Sequence, residues 1–428
     1  MNDFVAFDDV YDHIIRVVAE WEPIPDDIAK LYLVRDLSGR VRISVSDRIQ
    51  TDPACRDALQ GLARALHEGL GAHGYAPDRG VLFVDDSLLQ TLQPAREIRR
   101  GVYLVDRLVT GRDWWSVRAG SSGGGGAKRC TLFSVKGGVG RSTTAAVLAW
   151  HLVRQSERVL LVDLDLESPG LSSVMLEHGA RPEFGVTDWF VEDLVGQGDQ
   201  VIDRMLGRPR WAQESSGDVC VAPAHGREPG DYLAKLGRVY RNTPDPWAVR
   251  LGGLLERLEA QLDPTVVLLE SRSGLHDIAA AAVTEVDAQV LLFAVDSAST
   301  WTDYEILFRH WKAHRLAASI RDRLSIVSAL TPELDTERYL QGFRERSWNL
   351  FRNGLYGAME PSGDAGDPYT FDRDEEDAPH VPLPIHWTRG LAAGASLIDL
   401  EATTVFQAYR DFLRRFDGLL ATGNGGRE

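Results

Sequence analysis

Seven short hydrophobic runs recur along the C-terminal two thirds of the chain, and segments with helical spacing separate them. The runs are residues 130–135, 158–167, 218–224, 265–270, 288–295, 324–330 and 381–386. Near-continuous Val, Leu and Ile of this length are typical of parallel strands that are covered on both faces. The pattern therefore predicts an α/β domain over residues 130–420, built on a mostly parallel, doubly wound sheet.

Residues 1–117 mix two periodicities and predict a separate, small α+β domain. Residues 10–21 and 54–74 have the apolar spacing of helices. Three segments are strand candidates, namely residues 30–46, 80–86 and 101–111. The first of these segments predicts two strands around a Ser-Gly turn. This share of strands argues against a helix-turn-helix module, and the domain's function is not recognisable. Core packing is favoured over an interaction surface for Trp114 and Trp115.

Composition marks further boundaries. Residues 118–129, RAGSSGGGGAKR, have the Gly/Ser content of a flexible linker. Residues 357–380 are acidic and rich in Gly and Pro, which predicts a surface insertion. The amphipathic residues 397–420 carry acids among their arginines, so packing on the sheet is favoured over membrane targeting. Residues 421–428 are expected to be a tail.

Charge and cysteine content narrow the compartment and the partners. The chain of 428 residues has a formal net charge of −16, which argues against broad attraction to nucleic acid or anionic membrane. No apolar run reaches the roughly 18 residues of a membrane span, and the first residues lack the cationic region of a signal peptide. The cysteines Cys55, Cys130 and Cys220 form no metal-binding spacing. We expect a cytoplasmic protein with buried cysteines.

A glycine-rich loop at residues 134–143, SVKGGVGRST, lies between a predicted strand and a predicted helix. In this context backbone N–H groups and the helix N-terminus bind phosphate. Gly137, Gly138 and Gly140 allow the backbone to wrap closely around an anion, and Ser142 stands where a P-loop hydroxyl binds Mg²⁺. A glycine-rich turn without a ligand is the disfavoured alternative.

The cations of this loop are unusual. Arg141 stands where the phosphate-binding pattern GxxxxGK[ST] has lysine, and a lysine, Lys136, stands five residues earlier. Only five of the 47 basic residues are lysines, so arginine is the chain's default cation. The exception, Lys136, is therefore the more informative of the two residues.

Residues 136–143, KGGVGRST, resemble the deviant loop KGGxGK[ST] of the MinD/ParA group of P-loop ATPases. Two further stretches resemble motifs of that group in the same order. Residues 160–172, LLVDLDLESPGLS, are similar to its second-strand motif with two carboxylates. Residues 266–274, VVLLESRSG, are similar to a hydrophobic run followed by DxxxG. The resemblance covers about residues 130–420 and implies the MinD/ParA-like P-loop NTPase fold.

The resemblance implies a site for ATP and Mg²⁺. It places the nucleotide contacts at Lys136, Gly137, Gly138, Val139, Gly140, Arg141, Ser142, Thr143 and Gly274. Lys136 would be the signature lysine that crosses to the partner subunit's ATP in a nucleotide-sandwich homodimer. Arg141 would take the place of the lysine within the subunit, and Gly274 would lie at the switch that senses the γ-phosphate.

The same resemblance assigns the acidic residues. The metal positions are Ser142, Asp163 and Glu270, of which Asp163 would hold Mg²⁺ through water and Glu270 stands where the family has Asp. Asp165 would orient or activate the attacking water, so Lys136 and Asp165 are the predicted catalytic residues. Such groups act in phosphoryl transfer by positioning and charge neutralisation.

Two residues depart from the family's pattern while keeping its charges. Arg141 is a planar fork that should still bind polyphosphate, yet it is less suited than lysine to follow the γ-phosphoryl group as it leaves. Glu270 is one methylene longer than Asp, and a misplacement of ~1 Å in such a site can cost ~100-fold in rate. We therefore expect binding to survive better than turnover, which predicts a slow ATPase.

Several residues leave alternatives open. Arg272 has two open roles, a contact to the γ-phosphate and an ion pair with a nearby acid. His276 and Asp277 are expected to cap the following helix rather than perform acid–base chemistry. The adenine contacts are not assignable, and the loops near Thr331–Pro332 and Pro384–His386 are the candidates.

Absent residues exclude several relatives. No cysteine follows Cys220, which argues against a bridging Fe–S cluster, a cysteine-dependent anion pump and a fused amidotransferase. The last tyrosine is Tyr409, whereas a tyrosine kinase of this fold carries a C-terminal tyrosine cluster. The basic amphipathic tail of MinD-like membrane cycling is also missing.

Three functions remain. The favoured one is a regulatory ATPase that closes as a homodimer on ATP and controls an unidentified protein partner. Loops of the KGGVGR type resemble a variant found in bacterial signalling or defence gene clusters. The alternatives are a ParA-like partition ATPase that binds DNA non-specifically, and a nucleotide-binding scaffold that does not hydrolyse ATP.

Overall fold

The computed structural model describes residues 4–21, 25, 27–92, 95–107, 111–118, 126–240, 245–357, 369–388 and 402–422. The chain divides into two compact units, Met1–Thr110 and Gly111–Glu428. Residues 119–125 of the predicted linker, 358–368 of the predicted insertion and 423–428 of the predicted tail lie outside the described residues.

The first unit is a five-stranded mixed sheet with helices. Strand β1 pairs antiparallel with β2 and parallel with β5, and the strand order is β3-β2-β1-β5-β4. Its elements are α1 (Val10–Glu20), β1 (Leu31–Arg35), β2 (Val41–Ser46), α2 (Pro53–Leu70), β3 (Val81–Val84), α3 (Asp86–Gln90), β4 (Arg96–Arg99) and β5 (Val102–Asp106).

Local chemistry accounts for the start of the longest helix in this unit. The Asp52 carboxylate accepts hydrogen bonds from the backbone N–H groups of Ala54 and Cys55, and Pro53 takes the first helical position. An acidic N-cap followed by proline is a strong signal for a helix start, because the cap satisfies otherwise unpaired N–H groups. The predicted α+β character of this part of the chain matches these elements.

The second unit contains the longer βα succession. Its elements are β6 (Lys128–Ser134), α4 (Arg141–Arg154), β7 (Arg158–Asp163), α5 (Leu171–Met175), α6 (Val186–Asp193), α7 (Asp199–Ile202), β8 (Asp218–Ala222), α8 (Tyr232–Val239), α9 (Trp247–Leu262), β9 (Val266–Glu270), α10 (Asp277–Thr284), β10 (Gln289–Ala294), α11 (Ala298–Ala313), α12 (Ala317–Ile320), β11 (Leu324–Thr331), α13 (Thr336–Gly354), β12 (Leu383–His386) and α14 (Ala402–Thr422).

These strands form one seven-stranded sheet in the order β12-β11-β10-β6-β9-β7-β8. Every strand pair in it is parallel. The predicted α/β architecture with a parallel sheet is thus confirmed. Strand β6, which leads into the glycine loop, lies at the centre, so the loop and the ends of β7 and β9 meet at one edge of the sheet.

Helices cover both faces of this sheet, as the continuous hydrophobic strands predict. Leu132 of β6 belongs to the cluster that contains α4 and α14, whereas its neighbour Phe133 packs against α10 and α11. Leu161 and Leu160 of β7 likewise point to opposite faces. A strand buried on both sides has no polar face, which explains its unbroken apolar sequence.

Trp114 belongs to the core of the second unit. Its side chain is 5% exposed, and its ring lies 5.9 Å from that of Phe133 and 6.1 Å from that of Trp311. The predicted core packing of Trp114 is therefore confirmed. Because this segment packs with the larger unit, the division falls between Thr110 and Gly111, before the predicted domain end at residue 117.

The C-terminal helix α14 packs on the sheet unit, as its amphipathic pattern predicts. Tyr409, Phe412 and Phe416 are buried in the same cluster as the apolar face of α4. Among the helices that the structure describes, none has the length and hydrophobicity that a membrane span requires.

Candidate phosphate-binding site

The glycine loop connects the end of β6 at Ser134 with the start of α4 at Arg141. Gly138 and Gly140 have φ angles of 73° and 84°, which side chains with a Cβ disfavour. Gly140 is also the N-cap residue of α4, so the sequence must have glycine where the chain turns into the helix. This bend leaves the N-terminus of α4 facing the loop, the arrangement that binds phosphate.

A cavity of about 460 Å³ adjoins this loop. Its lining residues are Gly138, Val139, Gly140, Arg141, Ser142, Thr143, Thr144, Leu330, Ile385, His386, Trp387, Thr388 and Tyr409. Ile385 and His386 belong to one of the two segments predicted as adenine contacts, which the structure places at the end of β12, and Leu330 directly precedes the other. The cavity therefore joins the phosphate loop to both candidate segments.

Asp163 and Glu270 stand opposite each other at the ends of β7 and β9. The Ser142 hydroxyl donates a hydrogen bond to Glu270 Oε1, and Asp163 Oδ1 accepts one from the Asp165 backbone N–H at 3.0 Å. Within the described part of the chain, the buried oxygens Asp163 Oδ2 and Glu270 Oε2 have no hydrogen-bond partner. The structure thus brings the three predicted metal positions together.

Burial raises the pKa values of both carboxyl groups. The pKa of Glu270 rises to about 7 despite the hydrogen bond from Ser142, which acts to lower it. The pKa of Asp163 is raised first by burial and then by the nearby charge of Glu270. Hydroxyl and carboxylate oxygens are ligands that Mg²⁺ prefers, and a buried oxygen without a partner is costly. These residues therefore fit a divalent cation, which would offset the two negative charges.

The Arg141 guanidinium is engaged by two protein groups. Nη1 donates to Ser134 Oγ at 2.7 Å and Nη2 donates to Asp165 Oδ2 at 3.1 Å, and the side chain is buried. Burial raises the pKa of the Asp165 carboxyl, and the Arg141 charge opposes that rise. The longer arginine reaches past the loop to the acid, so its predicted polyphosphate contact has a competitor within the chain.

Lys136 lies at the open side of the loop. Its side chain is 42% exposed, and its Nζ pairs with Asp303 Oδ2 of α11 at 2.5 Å. The two cations of the loop therefore face different surroundings: Arg141 is buried beside Asp165, and Lys136 is at the surface.

The segment after β9 contains the remaining candidates. The Gly274 N–H donates to the Ser134 carbonyl at 3.0 Å. Arg272 forms the ion pair that was one of its two open roles, through Nη2 to Glu167 Oε2.

The predicted capping of α10 is only partly met. Asp277 lies in the first turn of the helix, where an acid is favourable. His276 occupies the N-cap position, but its side chain makes no capping hydrogen bond within the described residues. Its ring packs edge-on against Tyr240 at 5.0 Å. His276 therefore takes the predicted N-cap position without a side-chain capping hydrogen bond, and its ring contacts Tyr240.

Sequence reasoning missed four residues that contact the site, namely Glu167, Tyr240, Asp303 and Tyr409. Glu167 carried a signal, since it follows Asp165 by two residues in the motif. Tyr409 had none, because its hydroxyl meets Thr144 Oγ1 at 3.1 Å across 265 residues of chain. Such contacts depend on which helices from distant parts of the sequence pack beside the loop in the fold.

The parallel sheet, the glycine loop between β6 and α4, and the acids at neighbouring strand ends are the features of the P-loop NTPase fold. Residues 127–190 match a ParA family model, described as NUBPL iron-transfer P-loop NTPase. The chain therefore contains a P-loop domain whose residues 127–190 are similar to the ParA family, in agreement with the resemblance seen in the sequence.

Two curated relatives resemble a short part of the chain. An iron-sulfur cluster carrier protein of Pseudomonas fragi is 44% identical over 59 residues, which is 14% of this chain and 21% of the relative. The chromosome-partitioning ATPase Soj of Thermus thermophilus is 48% identical over 59 residues, 14% of this chain and 22% of Soj. The match thus spans about a fifth of each relative.

Solved structures also resemble the chain in part. MinD of Pyrococcus horikoshii in complex with Mg-ADP has a TM-score of 0.43 and 19% identity, covering 69% of this chain and 98% of MinD. Cobyrinic acid a,c-diamide synthase of Mycobacterium smegmatis, with a bound ATP analogue and magnesium, has a TM-score of 0.45 and 18% identity. It covers 70% of this chain and 97% of the synthase.

Proposed function

We propose that this chain is a nucleotide-dependent regulatory switch of the cytoplasm. In this proposal it binds Mg–ATP at the glycine loop, closes with a second copy of itself across the nucleotide, hydrolyses ATP slowly and thereby controls a protein partner. The observation that carries the proposal is the pair of buried, unpartnered oxygens of Asp163 and Glu270 beside Ser142, among the described residues. They fit a metal at the place where a P-loop holds its nucleotide.

Different residues of the site would bind the phosphates, the metal and the water. Backbone N–H groups of the loop and the N-terminus of α4 would hold the phosphates. Ser142, Asp163 and Glu270 would hold Mg²⁺, which when bound neutralises phosphate charge. Asp165 would orient water, but its Oδ2 accepts a hydrogen bond from Arg141. Because the Arg141 charge lowers the proton affinity of the Asp165 carboxylate, the arrangement supports slow turnover.

Exposure of Lys136 supports the homodimer. A lysine that reaches a second subunit's phosphate must lie at the surface, and Lys136 is 42% exposed. Its ion pair with Asp303 is partly exposed, and such pairs contribute only about 0–1 kcal/mol. Contact with a triphosphate would therefore replace Asp303 at little cost.

Size-exclusion chromatography with light scattering tests the switch. We expect Mg–ATP to shift the wild type from monomer to dimer, and the shift to require at least about 10-fold more protein in Lys136→Ala, because a charge-assisted contact is lost. The matched control is Lys312→Ala, which removes an exposed lysine bonded to the Asn353 carbonyl. Calorimetry of the same samples reports whether Mg–ATP binds at all.

Two results would contradict the proposal. The first is a wild type that binds no Mg–ATP at high micromolar concentration. The second is a Lys136→Ala variant that dimerises as the wild type does. Binding without any difference in single-turnover hydrolysis between wild type and Asp165→Ala would instead favour the non-hydrolysing scaffold.

The partition alternative rests on the similarity to Soj, which is confined to 59 residues. The chain's net charge of −16 disfavours it. A salt-dependent shift of random DNA that requires ATP would favour it over a protein-directed switch. An iron-transfer role has little support from the cysteines, because Cys55, Cys130 and Cys220 are all buried and burial raises the pKa of each thiol.

A further inference from the structure

Arg272 lies in the loop between β9 and α10, two residues after Glu270 and two before Gly274. Its Nη2 pairs with Glu167 Oε2, and its guanidinium carbon lies 6.0 Å from the centre of the Tyr240 ring. Glu167 and Tyr240 are thus two neighbours of the guanidinium. Its charge also reaches Asp165, where it favours the ionised carboxylate.

One nitrogen of this guanidinium lacks a hydrogen-bond partner among the described residues. Arg272 Nη1 is buried and makes no hydrogen bond within the described part of the chain. Leaving a buried donor unsatisfied costs about 1–3 kcal/mol, and more for a charged group. Such groups in native structures are usually explained by a function or by a bound water or ion. The Arg272 Nη1 donor therefore points to an acceptor that the described part of the chain does not supply.

The loop that carries Arg272 lies beside the glycine loop, because the Gly274 N–H donates to the Ser134 carbonyl at 3.0 Å. In P-loop proteins the metal neutralises charge on the terminal phosphates, so the terminal phosphate would lie toward Ser142 and Glu270, which would hold the metal. Arg272 follows Glu270 by two residues. The Gly274 N–H, which the family resemblance assigns to γ-phosphate sensing, already donates to the Ser134 carbonyl. Arg272 Nη1 is the loop's charged donor that remains unused among the described residues.

We propose that Arg272 discriminates nucleoside triphosphates from diphosphates, by donating from Nη1 to the terminal phosphate while Nη2 stays with Glu167. This inference rests on the proposed nucleotide site and adds to it the residue that reads the third phosphate. A guanidinium is suited to this task because its separate N–H groups serve two oxyanions in a fixed geometry.

Neighbouring residues position the guanidinium. The Tyr232 hydroxyl donates to the Leu166 carbonyl at 2.7 Å, which fixes the backbone next to Glu167. Glu167 in turn orients Nη2 of Arg272. The Tyr240 ring faces the guanidinium, with its centre 6.0 Å from the guanidinium carbon. Glu167 is therefore a positioning residue that acts through Arg272.

The test compares two nucleotides on the full chain by calorimetry, a non-hydrolysable ATP analogue and ADP, both with Mg²⁺. We expect Arg272→Gln to weaken binding of the analogue about 10- to 100-fold, because a charge-assisted hydrogen bond is lost. Binding of ADP should change less than about threefold. Arg257→Gln is the matched control, because Arg257 also pairs with an acid, Asp199, and lies beside an aromatic ring, Trp189.

Two further variants keep the test decisive. Arg272→Lys retains the charge but has only one nitrogen for Glu167 and phosphate, so it should lose several-fold in analogue affinity and little in ADP affinity. Glu167→Gln should show the same selective loss to a smaller degree. If Arg272→Gln fails to fold, which its ADP affinity and thermal unfolding reveal, these two variants carry the test.

The outcomes separate this inference from the proposed function. A wild type that binds neither nucleotide removes both. A wild type that binds both, together with Arg272 variants that lose nothing or lose both nucleotides equally, overturns the role of Arg272 and leaves the nucleotide site standing. A selective loss of the triphosphate analogue supports the inference.

Discussion

Asp163 and Glu270 place two carboxyl groups side by side at the buried ends of neighbouring strands. Ser142 satisfies one oxygen of Glu270. Low-dielectric surroundings disfavour the charged form of each acid, and a bound cation reverses that preference. The two buried acids therefore carry an electrostatic penalty, which a bound cation would reduce with release of protons.

This penalty predicts a pH-dependent stability. The pKa of Glu270 is about 7 in the folded chain against an ordinary value of 4.5. Between these two values the folded state binds more protons, so its free energy of unfolding falls as pH rises. Without Mg²⁺ we expect a loss of about 1 kcal/mol from pH 6 to pH 8 through this group. Urea unfolding across that range measures it.

Glu270→Gln should make this dependence shallower, because the amide does not titrate and Asp163, whose pKa burial also raises, is then the acid of the pair that still titrates. Glu305→Gln, at an exposed position of α11, is the control and should keep the wild-type slope. If the free energy of unfolding depends on pH equally in wild type and Glu270→Gln, then Glu270 is not the source of the pH dependence.

At the scale of elements, two helices enclose the phosphate loop from one face of the sheet. Helix α4 begins at the loop, and α14 packs over it through an apolar face. The Tyr409 hydroxyl of α14 meets Thr144 of α4 at 3.1 Å, and Tyr409 also lines the cavity beside the loop. The helix that lies last in the sequence thus completes the wall of a site whose other residues come earlier.

Phe412→Ala should weaken this packing strongly. Phe412 is fully buried between Tyr409 and Phe416, and truncating a buried Phe costs about 3–5 kcal/mol. Phe406→Ala on the same helix is the control, because Phe406 is 50% exposed and should lose under about 1 kcal/mol. Thermal unfolding of both variants gives the comparison, and equal losses would contradict the packing of α14.

At the scale of the whole molecule, the chain contains two units with cores of their own. The hydrophobic clusters of the first unit draw on residues 5–105 alone. Those of the second unit draw on residues from Trp114 onward. A separate core is the physical requirement for independent folding.

A fragment of residues 1–110 should therefore fold alone. We expect one cooperative thermal transition with an enthalpy of roughly 60–80 kcal/mol, as is typical of domains of this length. Calorimetry and circular dichroism of the purified fragment measure it. Leu33→Ala, at a buried central position, should lower the midpoint clearly, whereas Leu37→Ala, at an exposed one, should not. A fragment without a cooperative transition would contradict an independent domain.

Local sequence determined the elements around the site. Continuous apolar strands predicted a sheet buried on both faces, and the glycines of residues 137–140 predicted the bend, because both depend on nearby residues only. The strand β4 (Arg96–Arg99) was missed, because its exposed Arg and Glu residues carry no hydrophobic pattern. The site residues themselves were named from three local motifs.

Tertiary structure decided which partner each charged group takes. The sequence identified Arg141, Lys136 and Arg272 as cations near a phosphate site, but their acceptors come from other segments. Arg141 forms an ion pair with Asp165, Lys136 with Asp303 and Arg272 with Glu167. A local motif fixes the backbone and the kind of charge, whereas the geometry of an ion pair depends on where distant parts of the chain meet. For that reason the phosphate loop was evident from the sequence, and the unpartnered nitrogen of Arg272 was visible only in the fold.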